Sequence, residues 1–247
     1  MRLLQMVKNI KRISVWSGPR NISTALMYSF AQRKDTKVFD EPLYAFYLKN
    51  SNAKAYHPGA QNILETMEND GQKVVDMMIT CSESDVLFFK NMTHHLLDLE
   101  RSFMKGLTNV ILTRNPIEML PSFDKVIQNP SIDDVGYKLH MELIEGFIKN
   151  DIDFVVLDSM NILLNPKGVL KQLCDHIGIP FDENMLKWEP SQRLEDGVWA
   201  KYWYDNVHNS SGFSEYKPKI VPFPKHLESL LNECLPYYNK LRKFALT

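Results

Sequence analysis

The sequence predicts an α/β fold: a single domain over residues 1–247, with a central parallel sheet of four to five strands flanked by helices. Three observations carry this. Short β-branched or aromatic runs alternate with longer amphipathic stretches, which is the rhythm of βα units around a parallel sheet. With 247 residues and 44% hydrophobic side chains, the chain can bury one full core and suits one α/β domain better than two small ones. No linker, repeat or low-complexity tract interrupts it.

The strands are read in order as "RISVWS" (Arg12 to Ser17), "TKVFD" (Thr36 to Asp40), "VLFFK" (Val86 to Lys90), "NVILT" (Asn109 to Thr113) and, completing the sheet, "DFVVLD" (Asp153 to Asp158). A helix is expected over Thr24 to Arg33, and another over Pro116 to Gln128, where proline suits the first turn. Asp133 to Lys149 carries Val135, Leu139, Leu143, Ile144 and Phe147 at helical spacing and is expected as one helix. Asn165 to Ile179 reads as a helix ended near Gly178, and His226 to Leu246 as a last helix that Pro236 kinks or divides. The stretch "LEDGVWAKYWYDNVHNSSGF" (Leu194 to Phe213) is long, irregular and aromatic-rich, and loops of that kind in compact domains are more often functional than idle.

Composition narrows the partners. A formal net charge of −1 gives no basic field for nucleic acid, so any anion site must be built locally, and a small molecule is the expected partner. Cys81, Cys174 and Cys234 are far apart, with no CxxC pair and no spacing suited to zinc. They read as inert buried thiols in a reducing compartment, and no metal is expected. The opening "MRLLQMVKNIKR" is broken by Gln and Lys before a signal core forms, and no apolar run approaches the ~20 residues of a membrane span. A cytoplasmic protein without a membrane partner is expected.

The segment "VWSGPRNISTALMYSF" places a loop between a strand and a helix, where free N–H groups and the helix dipole favour an anion. Gly18 lets backbone approach a ligand, Arg20 can donate a bidentate pair, and Ser23 and Thr24 supply hydroxyls. A Walker A loop needs a second Gly and a Lys, but Ile22 and Ser23 stand there, which disfavours ATP. On this segment alone, helix capping by Ser23 and Thr24 with Arg20 in solvent is an equal alternative.

The order strand, "SGPRNIST", helix, then "FDEP" resembles the 5′-phosphosulfate loop of sulfotransferases, enzymes that use 3′-phosphoadenosine 5′-phosphosulfate (PAPS) within a P-loop NTPase-like architecture. On that pattern Arg20 takes the basic position and Ser23 and Thr24 the hydroxyl positions, with Asn21 between them. Ile22 stands where the family has Gly, which implies a backbone that curves differently or approaches phosphate less closely. "ILTRNPIEMLPSF" resembles the family's second element: Arg114 ends a strand and Ser122 follows eight residues later, implying a fork for the 3′-phosphate.

In the carbohydrate and protein-tyrosine branches a Glu after the second strand is the general base, and the resemblance puts Glu41 in that role. Capping of the following helix by Asp40 and Glu41 is the alternative. Cytosolic sulfotransferases carry a Lys followed two residues on by a catalytic His; Lys90 matches, as an electrophilic stabiliser of the sulfuryl group, and Met92 does not. His94 and His95 read better as surface histidines at a helix start, and His140 as structural; His208 carries no motif. The family's late RKGxxG segment is absent, and the aromatic stretch stands in its place, with Trp199, Tyr202 and Trp203 to stack and Lys201 to meet phosphate, or else to pack in the core.

The resemblance therefore implies sulfuryl transfer from PAPS to a hydroxyl, less readily an amine, of a small acceptor. Two other readings remain open. One is a nucleotide-binding regulatory protein on the same fold. The other is an atypical P-loop small-molecule kinase, for which neither Asp98 nor Asp158 stands in a convincing Mg²⁺-binding context.

Overall fold

The computed structural model describes residues 9–218 and 222–247. Residues 1–8, on which much of the expectation of no secretory signal rests, lie outside the described residues. Five strands, β1 (Lys11–Ser17), β2 (Thr36–Asp40), β3 (Val86–Met92), β4 (Thr108–Thr113) and β5 (Phe154–Asp158), form one parallel sheet in the order β2-β3-β1-β4-β5. All five expected strands are present, so the predicted α/β fold holds.

The strands are nearly all apolar because both sheet faces are covered. Alternation sends Ile13, Val15, Val38, Phe88 and Leu112 to one face, and Trp16, Leu87, Phe89, Ile111 and Val156 to the other. The first face is covered by α1 (Ser23–Phe30), α2 (Tyr44–Lys49) and α3 (Ala60–Thr66), and by the two helices that follow β5. On the second face lies α4 (Gly71–Thr80), capped by Asp70, whose carboxylate accepts from the Gln72 amide at 3.0 Å. The helices between Leu43 and Ser82 were not legible in the sequence, since their apolar residues are too few and too short in run to show a period.

After β4, α5 (Pro116–Phe123) ends earlier than expected, carrying Pro121 within it. The helix expected from Asp133 to Lys149 is broken into α6 (Ile132–Val135) and α7 (Tyr137–Lys149) at Gly136, whose φ is 79°. Glycine takes this left-handed conformation at no steric cost, so it ends α6 and turns the chain into α7, and the turn lies in van der Waals contact with the Gly18 backbone. After β5, α8 (Ser159–Leu164) leads to α9 (Pro166–Ile177), which is capped by Asn165 and ended by Gly178 at φ 76° as expected.

The aromatic stretch forms two single turns, α10 (Ala200–Trp203) and α11 (Asp205–His208). The last helix, α12 (Glu228–Leu241), is not divided at Pro236. The hydrogen bond that proline removes lies on the exposed side, while Leu230, Cys234, Tyr238 and Leu241 hold the buried side against α7 and α5. Among the described residues no helix is long and apolar enough to cross a membrane. Cys174 and Cys234 are buried and their thiols are pushed up, to about 11 and about 12, by burial; Cys81 is only half-buried, unlike the expectation.

The approach of Gly18 to the helix break generates a stability prediction. A methyl at Gly18 would fall 2.7 Å from the Val135 carbonyl oxygen, which is backbone and cannot swing aside. Gly18→Ala should lower unfolding stability by about 1–3 kcal/mol, the usual cost of overpacking a rigid contact, measured by urea denaturation. A variant as stable as the parent would show that this contact relaxes freely.

Candidate active site

The loops after β1, β2, β3 and β4 leave the same edge of the sheet, and β1 lies between β3 and β4, so ligands are expected above its carboxyl end. A cavity of about 1000 Å³ opens there. Arg20, Asn21, Ser23, Thr24, Glu41, Lys90, Arg114 and Ser122 all line it. Gly18 does not; it packs behind the loop, as the contact with Val135 shows.

The first loop is held from below. Asn21 donates through Nδ2 to the Leu112 carbonyl at 3.0 Å, and Ser159 Oγ donates to the Asn21 carbonyl at 2.8 Å. Arg20 and Ile22 have φ of 57° and 62°. Ile22 thus takes the left-handed conformation that glycine adopts freely, at a cost of roughly 1–2 kcal/mol for a residue with a Cβ. The isoleucine is held in this turn because Asn21 is bonded in place and the Ile22 side chain packs on the core.

The turn delivers α1 with no side-chain cap and no acidic residue in its first turn. The hydroxyls of Ser23 and Thr24 make no hydrogen bond among the described residues, which sets aside the capping alternative. Arg20 donates from Nε to Ser122 Oγ at 3.1 Å and from a terminal nitrogen to the Trp203 carbonyl at 3.0 Å, and it pairs with no carboxylate among the described residues. Burial and the charge of Arg114 together lower its pKa. Arg114 donates to the Arg20 carbonyl at 2.9 Å and pairs with Glu118 at 3.1 Å, and Glu118 also accepts from the Tyr216 hydroxyl at 2.6 Å. The two loops read separately in the sequence are one site: Arg20 of the first touches Ser122 of the second.

Across the cavity, strand register sets Asp40 of β2 beside Lys90 of β3. Lys90 is 1% exposed, and its ammonium donates to Asp40 at 2.8 Å, to Glu41 at 2.5 Å and to the Tyr204 hydroxyl at 2.5 Å. Asp40 also accepts from Tyr204 and, at 3.1 Å, from the Gly197 amide, while Trp199 donates to the Tyr204 hydroxyl at 3.0 Å. Burial works against the Lys90 charge, but the two carboxylates outweigh it and hold the ammonium's pKa above its ordinary value. Burial pushes the Glu41 carboxyl up, against the pull of Lys90 and with the push of Asp40. Glu41 has φ 45°, and its Oε2 makes no hydrogen bond among the described residues.

Neither Asp40 nor Glu41 caps a helix. α2 begins after Leu43 with no side-chain cap, so the capping alternative fails because Lys90 and Tyr204 claim both carboxylates. His94 and His95 are not at the surface; both line the cavity, His94 standing edge-on to Tyr47 and His95 stacking on Tyr47 and Tyr44. His140 is buried, 2.6 Å from the Thr93 hydroxyl, and His208 pairs with Asp196 at 3.1 Å away from the cavity lining. Trp199 and Trp203 line the cavity, whereas Lys201 and Tyr202 do not. Asp158 caps α8 by accepting from the Met160 amide at 2.8 Å, and neither it nor Asp98 lines the cavity. Among the described residues no three His, Cys, Asp or Glu side chains are grouped to hold a metal.

Sequence reasoning missed Tyr204, Glu118, Tyr44 and His57. Tyr204 is 164 residues from Asp40, so no local spacing announces the contact. Glu118 was findable, lying four residues beyond Arg114 on an expected helix.

Two arginine-bearing loops thus stand together over the central strand of a parallel α/β sheet. Residues 11–245 match the model of the sulfotransferase domain family, and the chain belongs to that family. The sulfotransferase domain of the Synechococcus PCC 7002 olefin synthase superposes with a TM-score of 0.55 at 14% identity, covering 91% of this chain and 94% of that one. The sulfotransferase domain from the curacin biosynthetic pathway gives 0.52 at 17% identity, covering 92% and 98%. At those identities the likeness is one of fold.

Two curated relatives from Arabidopsis thaliana, branched-chain-amino-acid aminotransferase-like proteins 2 and 1, are 39% and 40% identical over 232 residues, 93% of this chain. The chain spans 41% of their length.

The buried cluster yields a prediction of its own. Lys90→Met leaves two buried carboxylates without a cation and should cost about 3–5 kcal/mol of stability. Adding Glu41→Gln should restore part of that loss, because one of the stranded charges is removed. Equal stability of Lys90→Met and the parent in denaturant titration would show that the ammonium is not the counter-charge.

Proposed function

We propose that this chain is a sulfotransferase that moves a sulfuryl group from PAPS to a hydroxyl of a small acceptor, with Glu41 as general base. One observation carries the reading: among the described residues the partly buried guanidinium of Arg20 has no carboxylate partner, feels the charge of Arg114, and shares the cavity with the unbonded hydroxyls of Ser23 and Thr24 at a helix start. Two like charges held together without full compensation are stabilised by an anion placed between them. A 5′-phosphosulfate suits the loop from Arg20 to Thr24, and a 3′-phosphate suits Arg114 and Ser122.

In this mechanism the acceptor hydroxyl sits at Glu41 Oε2 and gives up its proton there as its oxygen forms a bond to sulfur. The bond from sulfur to the 5′-phosphate oxygen breaks in line, and the negative charge gathering on that oxygen falls on Arg20, the hydroxyls of Ser23 and Thr24, and the free amides at the start of α1. The resemblance implied that Lys90 contacts the sulfuryl group. Its bonds to Asp40, Glu41 and Tyr204 favour a positioning role instead, in which Lys90 orients Glu41. No metal enters the reading.

Two experiments test it. Arg114→Ala should weaken adenosine 3′,5′-bisphosphate by about 2–4 kcal/mol in calorimetry while AMP changes little, because AMP lacks the 3′-phosphate. Equal losses for both ligands would remove Arg114 and Ser122 from the 3′-phosphate site.

Glu41→Gln keeps size but cannot take a proton, so turnover should fall by roughly 10²–10⁴ at unchanged donor affinity. In the parent enzyme only the ionised carboxylate is active. As Glu41 is pushed above its ordinary value of 4.5, activity should decline on acidification starting at a higher pH than for a solvent-exposed glutamate. A profile flat down to pH 4, or near-normal turnover in Glu41→Gln, would assign the base elsewhere.

A further inference from the structure

Beyond Glu41, the cavity continues into a cluster of aromatic and imidazole rings that the transfer chemistry leaves unused. Tyr44 follows Glu41 by one turn, its amide bonded to the Glu41 carbonyl at 2.9 Å, and its ring lies edge-on to Trp199 with centroids 5.1 Å apart. Tyr44 also stacks on His95, with centroids 4.7 Å apart and planes 17° apart, and its hydroxyl lies 2.7 Å from His57 Nδ1. His94 stands edge-on to His95 at 4.7 Å. Tyr44, His57, His94 and His95 all line the cavity.

Two features of this cluster point to a ligand. His95 is 1% exposed, yet neither its ring nor that of His94 makes a hydrogen bond among the described residues, and the Nδ1 atoms of both are sealed from solvent without a partner. The Nε2 atoms have no partner among the described residues either and are not sealed, so they are the atoms that a molecule in the cavity can reach and bond. In addition, the three rings are neutral: burial lowers His57 to about 4 and His94 to about 3, and takes His95 well below its ordinary value. The nearest cation, Lys90, is already claimed by Asp40 and Glu41.

A neutral imidazole offers one donor and one acceptor, and so does a hydroxyl. A carboxylate only accepts, and here it would meet Asp40 and Glu41 with one lysine between them. Tyr44, Trp199 and Trp203 line the cavity beside the histidines, which gives it an aromatic wall suited to a planar or ring-shaped body.

From this arrangement, and resting on the sulfotransferase reading above, we infer that His57, His94 and His95 form an acceptor subsite selecting an uncharged, ring-bearing molecule with adjacent hydroxyls. One hydroxyl lies at Glu41, and the second is held by the histidines. A site built to bond a hydroxyl discriminates strongly against the analogue that lacks it, so a mono-ol should bind less well than a diol.

The test uses catechol, phenol and 3,4-dihydroxybenzoate as probes, titrated by calorimetry into the full chain with and without saturating adenosine 3′,5′-bisphosphate. Catechol should bind about tenfold more tightly than phenol, the worth of roughly one hydrogen bond, and 3,4-dihydroxybenzoate should bind more weakly than catechol. His94→Phe and His95→Phe should remove the preference for catechol over phenol while leaving the affinity for adenosine 3′,5′-bisphosphate unchanged. His94→Gln, which keeps a donor and an acceptor at the less buried of the two positions, should retain it.

Equal binding of catechol and phenol, tighter binding of the carboxylate, or no binding of any probe would overturn the inference. So would a preference that survives both phenylalanine variants. Failure of adenosine 3′,5′-bisphosphate to bind, with the catechol preference intact, would instead overturn the donor assignment and leave the subsite standing.

Discussion

An ammonium group shut away from water must be compensated where it stands, and in this chain Lys90 imposes that condition on three distant parts of the sequence. The register of β2 against β3 brings Asp40 alongside it, the left-handed turn at Glu41 swings a second carboxylate over it, and Tyr204 arrives from the aromatic stretch. Gly197 and Trp199 follow Tyr204 into the same network. A segment rich in exposed and irregular backbone is thereby clasped to the carboxyl edge of the sheet, and one wall of the cavity exists because of it. With one cation and two carboxylates, the cluster keeps a net negative bias, which suits a proton acceptor.

The opposite wall has the reverse character. Burial and the nearby charge of Arg114 lower the hold of Arg20 on its proton, and Glu118 compensates Arg114 alone. Neutral partners, Ser122 and the Trp203 carbonyl, steer Arg20 without neutralising it. The loop that presents it is strained at Ile22 and Arg20 and is held by bonds from Asn21 and Ser159. Strain of this kind persists only where neighbouring contacts over-determine the backbone, and here it aims a guanidinium and a helix start at one point. The cavity thus runs from a cationic end to a weakly anionic one, with neutral rings beyond.

The sheet, its strand positions and both arginine loops were legible in the sequence because each depends on local information. Apolar runs of strand length, a Gly–Pro–Arg loop opening a helix and an Arg followed by Asn–Pro all signal over a few residues. Long helices with a clear period, such as α9 with its Asn165 and Gly178 ends, were equally plain. The short helices between Leu43 and Ser82 were not, since fewer than three turns carry too little periodicity to distinguish from loop.

By itself, then, the sequence determined the parallel α/β class, the order of its strands along the chain, and which residues stand at strand ends where ligands bind. Only the tertiary structure decided that Gly136 breaks a helix, that Ile22 takes a glycine-like turn, that His94 and His95 face inward, and that Lys90 pairs with Asp40, Glu41 and Tyr204. The physical reason is range. Propensity and periodicity act over a handful of neighbours, whereas burial, charge compensation and close backbone approach join residues up to 164 positions apart, and they exist only once the sheet has brought those residues together.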